Sequence, residues 1–176
     1  MPLKSHNKGL KAISPHSTSS PCSFKVNKNE KGKLLSLRFN ADLGQVRNAL
    51  AEAAKCLCPL DDIQISTSAE IVLAEVFNNI VKHAYQQKQV GLIDLSMVIH
   101  DTYISFRIFD MGQPMPNKRL PIGAPHILED DVQSLPEGGF GWNLIRTLTQ
   151  DLDYQHLNNQ NILQFTITRH PIEMPD

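Results

Sequence analysis

EGGFGWNLI, residues 137–145, sets three glycines directly before an apolar helical pattern. Glycine lets a backbone N–H come close to a bound group, and the start of a helix offers unpaired N–H groups and a favourable field to an anion. Alone, the stretch also suits an ordinary turn. Two upstream segments give it weight: EVFNNIVKHAY at 75–85 and FDMGQPMP at 109–116. Together the three point to a nucleotide pocket assembled from separated parts of the chain.

The 176 residues fit one domain and a tail, with enough apolar content for a core. A formal net charge of -1 gives no reason to expect direct nucleic-acid binding. Cys22, Cys56 and Cys58 form no second C-x-C cluster, so a structural zinc site is not expected. Reduced thiols fit a cytoplasmic protein. No apolar run is long enough to span a membrane, and the N-terminus lacks the apolar centre of a secretory signal. The first thirty residues are rich in Ser, Asn and Lys, with five lysines against one glutamate. Residues 1–32 are therefore expected to form a flexible tail, 33–168 the domain, and 169–176 a short C-terminal tail.

Periodicity places the elements. Leu34–Phe39 reads as a strand. Leu43, Val46, Leu50, Ala53 and Leu57 recur at helical spacing, and Pro59 ends that helix. A second helix is expected from near Thr67 to about Tyr85, with Thr67 and Glu70 as a capping box and Leu73, Val76, Phe77, Ile80 and Ala84 as its buried stripe. Ile93, Leu95, Met97 and Ile99 mark one strand; Ile104, Phe106 and Ile108 mark the next, with a hairpin at His100-Asp101. Five prolines between 111 and 137 predict a long loop, with one short helical turn near His126–Asp130. A third helix is expected over Phe140–Leu148, its core anchors Leu144 and Ile145, then strands over Leu152–Leu157 and Ile162–Ile167 around Asn158-Asn159. The fold class is an α/β (α+β) sandwich: a mixed, largely antiparallel sheet covered on one face by helices.

Glu75 and Asn79 are four apart and share one helix face, which Lys82 and His83 extend. The Asn79 amide oxygen can supply one neutral ligand to a magnesium ion held mainly by phosphates and water. Glu75, one turn away, can take a proton from a hydroxyl attacking a γ-phosphate. The same residues also suit a solvated helix face, and His83 suits either a place near phosphates or a hydrogen-bonded position at the helix end. Asp110 at a strand end can accept from an exocyclic amine, and Gly112 permits close approach; an Asp-Met-Gly turn is the plainer alternative. Gly138, Gly139, Phe140 and Gly141 can close over phosphate oxygens, yet the pattern is neither G-x-G-x-x-G nor a Walker loop. Trp142 suits stacking or packing, and Arg146 a phosphate contact or a surface charge.

The order of these segments is more specific than any one of them. It resembles the Bergerat-fold (GHKL) ATPases, the superfamily of gyrase, heat-shock chaperone ATPases, bacterial histidine kinases and MutL. Glu75 to Asn79 resembles their N box, Asp110-x-Gly112 their first glycine box, and Gly139-x-Gly141, preceded by Gly138, their second. The segments EVFNNIVKHAY, FDMGQPMP and EGGFGWNLIRTLTQDLDY are most similar to the small anti-sigma factor serine/threonine kinases. That likeness, over approximately residues 33–168, implies ATP and Mg2+ as cofactors. It implies Glu75 as catalytic base and Asn79 as metal ligand. Asp110 with Gly112 would sit at the adenine, and Gly138, Gly139, Phe140 and Gly141 would form the phosphate lid. His83 falls where that branch tends to have a histidine, and Lys82, from its own place on the helix face, would join it in the binding set. The implied partners are a STAS-domain anti-anti-sigma protein, a sigma factor and a second copy of the chain. Pro114 replaces a glycine found in many of the wider superfamily, and Glu137 flanks a glycine loop with no basic residue before Trp142. A two-component histidine kinase is not expected, since no phosphoacceptor helix precedes the domain. The expectation is an ATP-dependent serine/threonine-protein kinase that also switches partners. Its alternatives are a nucleotide-gated binding module without useful kinase activity and an interaction protein that binds no nucleotide.

Overall fold

Alternating side chains build the sheet. The computed structural model of the chain describes residues 23–29, 32–86, 91–121 and 140–169. Six strands are β1 (Ser23–Asn29), β2 (Gly32–Asn40), β3 (Leu92–Ile99), β4 (Tyr103–Asp110), β5 (Gln150–Leu157) and β6 (Gln160–Thr168). They lie in the order β1-β2-β3-β4-β6-β5 with every pairing antiparallel. Ile93, Leu95, Met97 and Ile99 all point to the core, as do Ile104, Phe106 and Ile108. The period of two carries one step further and turns Asp110 to the same buried side. The β5–β6 hairpin closes through Asn158 and Asn159, both at positive φ (51° and 59°), a pairing that matches strand twist in a two-residue turn.

Three helices, α1 (Leu43–Leu57), α2 (Ile63–Asn79) and α3 (Phe140–Leu148), cover one face. Phe39 of β2 and Phe77 of α2, both fully buried, meet edge to face at 5.1 Å. The other face is polar, carrying the exposed Arg38–Asp94 ion pair and Arg107 over the Phe109 ring at 4.6 Å. Among the described residues no helix is long and apolar enough to cross a membrane.

Several expectations are corrected. Residues 23–29, included in the expected tail, form β1: their backbone pairs with β2 from Ser23↔Arg38 to Asn29↔Gly32. Arg169, assigned to the other tail, donates its backbone N–H to the Thr102 carbonyl at 2.8 Å. The second helix begins at Ile63, not Thr67. Asp62 is its N-cap and accepts from Ile65 N at 3.0 Å, so Thr67 and Glu70 lie inside the helix. Ile63 is exposed, which hides the true start from an apolar-stripe reading. Leu43 and Leu144 also face solvent; in α3 the buried side chains are Trp142 and Ile145. The short helical turn expected near 126–130 lies outside the described residues, and a 3-10 turn occurs at Pro116–Lys118.

At its C-terminal end α2 changes winding. Ile80–Ala84 is a π-helical turn in which Tyr85 N donates to Ile80 O at 3.0 Å. Such turns insert one extra residue per turn and recur at functional sites. Replacing the α2 cap, Asp62→Ala, should cost about 1 kcal/mol by unpairing a helix-start N–H. In thermal melting that is a fall of about 2–4 °C for a domain of this size.

Candidate active site

A cavity of about 370 Å³ opens where the end of α2 and its π turn, the chain leaving β4, the first turns of α3 and the β5–β6 hairpin converge. Its lining includes Asn79, His83, Asp110, Trp142, Tyr154 and Asn161.

Asp110 forms the polar floor. Its Oδ1 accepts from Gly112 N and from Asn161 Nδ2, both at 2.8 Å. Both described bonds fall on one oxygen, so Oδ2 remains an acceptor for whatever enters. Burial pushes the carboxyl above its ordinary 3.8, while the Asn161 and Gly112 hydrogen bonds and nearby His156 pull the other way. The folded state therefore holds this proton more tightly than the unfolded chain. The ligand-free protein is then stabilised at pH below the folded value and loses that contribution as pH rises through it. Asp110→Asn removes the titration while keeping an oxygen for Gly112 and Asn161. Its thermal midpoint, relative to wild type, should rise as pH climbs from about 4 through the folded value and then level off.

Gly112 is required for approach rather than for dihedral freedom. A Cβ there would lie 2.6 Å from Ala84 Cβ and 2.8 Å from the Ala84 carbonyl carbon and oxygen. Gln113 N also donates to Ala84 O at 2.9 Å. Tyr85 reinforces this seam: its hydroxyl donates to Leu92 O at 3.1 Å and accepts from Met111 N at 3.0 Å. Burial raises its pKa, so it stays a donor at neutral pH.

Asn79 lines the cavity, and its Nδ2 is buried with no hydrogen-bond partner among the described residues. Leaving such an atom unpaired costs about 1–3 kcal/mol, a cost that a bound group or ordered water removes. A Cβ on Gly141 would run into the Glu75 carboxylate and come within 3.8 Å of Asn79 Nδ2. Glu75 thus lies against the glycine of the third segment, with Asn79 close by. His83 reaches the cavity rim; Lys82 is exposed and does not line it. Widening of the helix at Ile80–Ala84 spoils the regular α spacing that would have kept Lys82 on the Glu75/Asn79 face. Arg146 gives both its described bonds to Pro121 O, at 3.1 and 2.7 Å. Gly138 and Gly139 lie outside the described residues, and of Phe140 only its place at the start of α3 is described. Among the described residues no three His, Cys, Asp or Glu converge as a metal cluster.

Sequence reasoning passed over Asn161 and Tyr154. The Tyr154 hydroxyl accepts from Met115 N at 3.1 Å and donates to Asn161 Oδ1 at 2.6 Å. Asn161 reads as part of the polar turn Asn158-Asn159, and only its register opposite Asp110 reveals it. The signal available was its position one residue before an alternating apolar run.

Residues 39–167 match the model of the histidine kinase-like ATPase domain. The chain belongs to this family. Within it, the chain is related to the RsbW-type anti-sigma factor kinases. It is 32% identical over 92 residues to the serine-protein kinase RsbW of Oceanobacillus iheyensis, covering 52% of this chain and 56% of that protein. It is 31% identical over 105 residues to the serine-protein kinase RsbW of Bacillus cereus, covering 58% and 62%. The chain thus spans little more than half the length of these curated relatives. A structure of the RsbU and RsbW domains of a Mycobacterium tuberculosis protein shares the fold, with a TM-score of 0.52 at 15% identity over 77% of this chain and 33% of that one.

Proposed function

We propose that this family member is an ATP-dependent serine/threonine-protein kinase and anti-sigma-type regulator, acting on a serine of a STAS-domain antagonist. The observation that carries the proposal is Glu75 against Gly141, with Asn79 close by, beside a cavity floored by Asp110. The names of its relatives support the same class of activity. In this reading Asp110 Oδ2 accepts from the adenine amine. Trp142 and Met115 line the apolar part of the cavity, and the amide of Asn79 offers its oxygen to Mg2+. Mg2+ held there would offset charge on the phosphate oxygens. Glu75 takes the proton of the serine hydroxyl as its Oγ bonds to the γ-phosphorus; the bond from that phosphorus to the β–γ bridging oxygen breaks, and ADP leaves. Catalysis then rests on placement and electrostatics. A cytoplasmic homodimer exchanging the STAS protein and a sigma factor completes the proposal.

The test is transfer of radiolabelled γ-phosphate to a cognate STAS protein. A protein that binds Mg-ATP by calorimetry but transfers nothing is instead a nucleotide-gated binding module. One observation favours that second reading: no described Lys or Arg lines the cavity, and Arg146 is committed to Pro121. A further outcome separates the two. In Gly141→Ala the new methyl displaces only the mobile end of Glu75, so the fold and ATP affinity should persist. Transfer, measured by single turnover, should fall roughly tenfold because the base is misplaced.

A further inference from the structure

The Asn161 side chain is tied on every side. Its Nδ2 faces only acceptors: Asp110 Oδ1 at 2.8 Å, Gly112 O at 3.2 Å and Gln113 O at 3.3 Å. Its Oδ1 faces the Tyr154 hydroxyl at 2.6 Å and His156 Nδ1 at 2.9 Å. The carboxylate and the two carbonyls fix the orientation of the amide, since they accept from its NH2; the oxygen then accepts from the hydroxyl and sets His156 in the tautomer that donates from Nδ1. Asn161 is 4% exposed and sits directly opposite Asp110 in the β4–β6 register.

This arrangement has a consequence for bases. A free carboxylate presents two oxygens and can accept a pair of parallel donors, as the N1–H and 2-amino groups of guanine provide. With Oδ1 held by Asn161 and Gly112, Asp110 offers a single acceptor. One exocyclic amine satisfies it, and the paired guanine donors do not find their second oxygen. We propose that Asn161 is the positioning residue that sets base selectivity in this cavity, occupying one oxygen of Asp110 so that a 6-aminopurine is accepted and guanine is refused. Tyr154 and His156 act through it by holding the amide oxygen. The inference rests on the nucleotide reading above.

Calorimetry with Mg-ATP, Mg-GTP and Mg-ITP on the full chain tests it, with Asn161→Ala and Tyr154→Phe as variants. Wild type should prefer ATP. In Asn161→Ala the preference for ATP over GTP should shrink roughly tenfold, the scale of one hydrogen bond lost and one gained. GTP binding should improve while ITP, which lacks the 2-amino group, should not gain. Tyr154→Phe removes one of two ties on the amide oxygen and should give a smaller shift of the same sign. It also decides the matter if Asn161→Ala fails to fold. If wild type binds no nucleotide, the nucleotide reading falls and this inference with it. If wild type prefers ATP and the folded variants keep its ATP:GTP ratio, or if GTP and ITP gain equally, the inference alone is overturned.

Discussion

Glu75→Gln should lower phosphoryl transfer to a STAS substrate by roughly 10²–10⁴-fold, the usual contribution of a positioned general base. ATP affinity should change little, because Glu75 is half-buried beside Gly141 and does not line the cavity. The substitution keeps the size of the side chain and leaves an oxygen against the same glycine. What it removes is the basicity that receives the serine proton. Single-turnover transfer beside calorimetry separates the two quantities: a loss in the first with the second preserved is the expected pattern. Equal transfer in Glu75→Gln would remove Glu75 from the chemistry.

Gly112→Ala should damage the fold and the binding site together. Its methyl would meet Ala84 Cβ, carbon and oxygen at 2.6–2.8 Å, and two of these three are backbone atoms that cannot rotate away. The chain leaving β4 must therefore shift, which breaks the Gln113 N to Ala84 O bond and disturbs Gly112 N on Asp110. The expected cost lies at the upper end of about 1–3 kcal/mol for overpacking. It should be seen as a lowered denaturation midpoint together with weakened ATP binding. Gly141→Ala offers the contrast, since its obstacle is the end of a flexible side chain. One alanine should cost stability and affinity, the other turnover alone.

Much of this was legible along the chain because it is local. Strand alternation predicted the inward residues of β3 and β4, and the helical stripe Leu73, Val76, Phe77, Ile80 and Ala84 is buried as spaced. The order of the motifs pointed to the family, and residues 39–167 match its model. The contact of Gly141 with Glu75, by contrast, joins residues far apart in sequence, and periodicity carries no such information. The start of α2 was misread because an interior Thr67/Glu70 pair has capping-box spacing while the actual cap precedes an exposed isoleucine. β1 was missed because its Ser, Asn and Lys content reads as a solvated tail, whereas its pairing is made by the backbone. Asn161 was hidden for a related reason: its importance comes from the strand opposite it, not from its neighbours.

The wide turn at Ile80–Ala84 fits one residue more than an α turn into about the same arc. Deleting one of those five residues should therefore let the helix return to ordinary winding with every later group held near its present phase. The carbonyl that meets Gln113 at the end of the turn, and with it the berth for the exit of β4, should survive such a deletion. Exposed Lys82 is the residue whose removal disturbs the packing least. Relatives that differ here should therefore differ by a single residue, some with the wide turn and some with plain α winding.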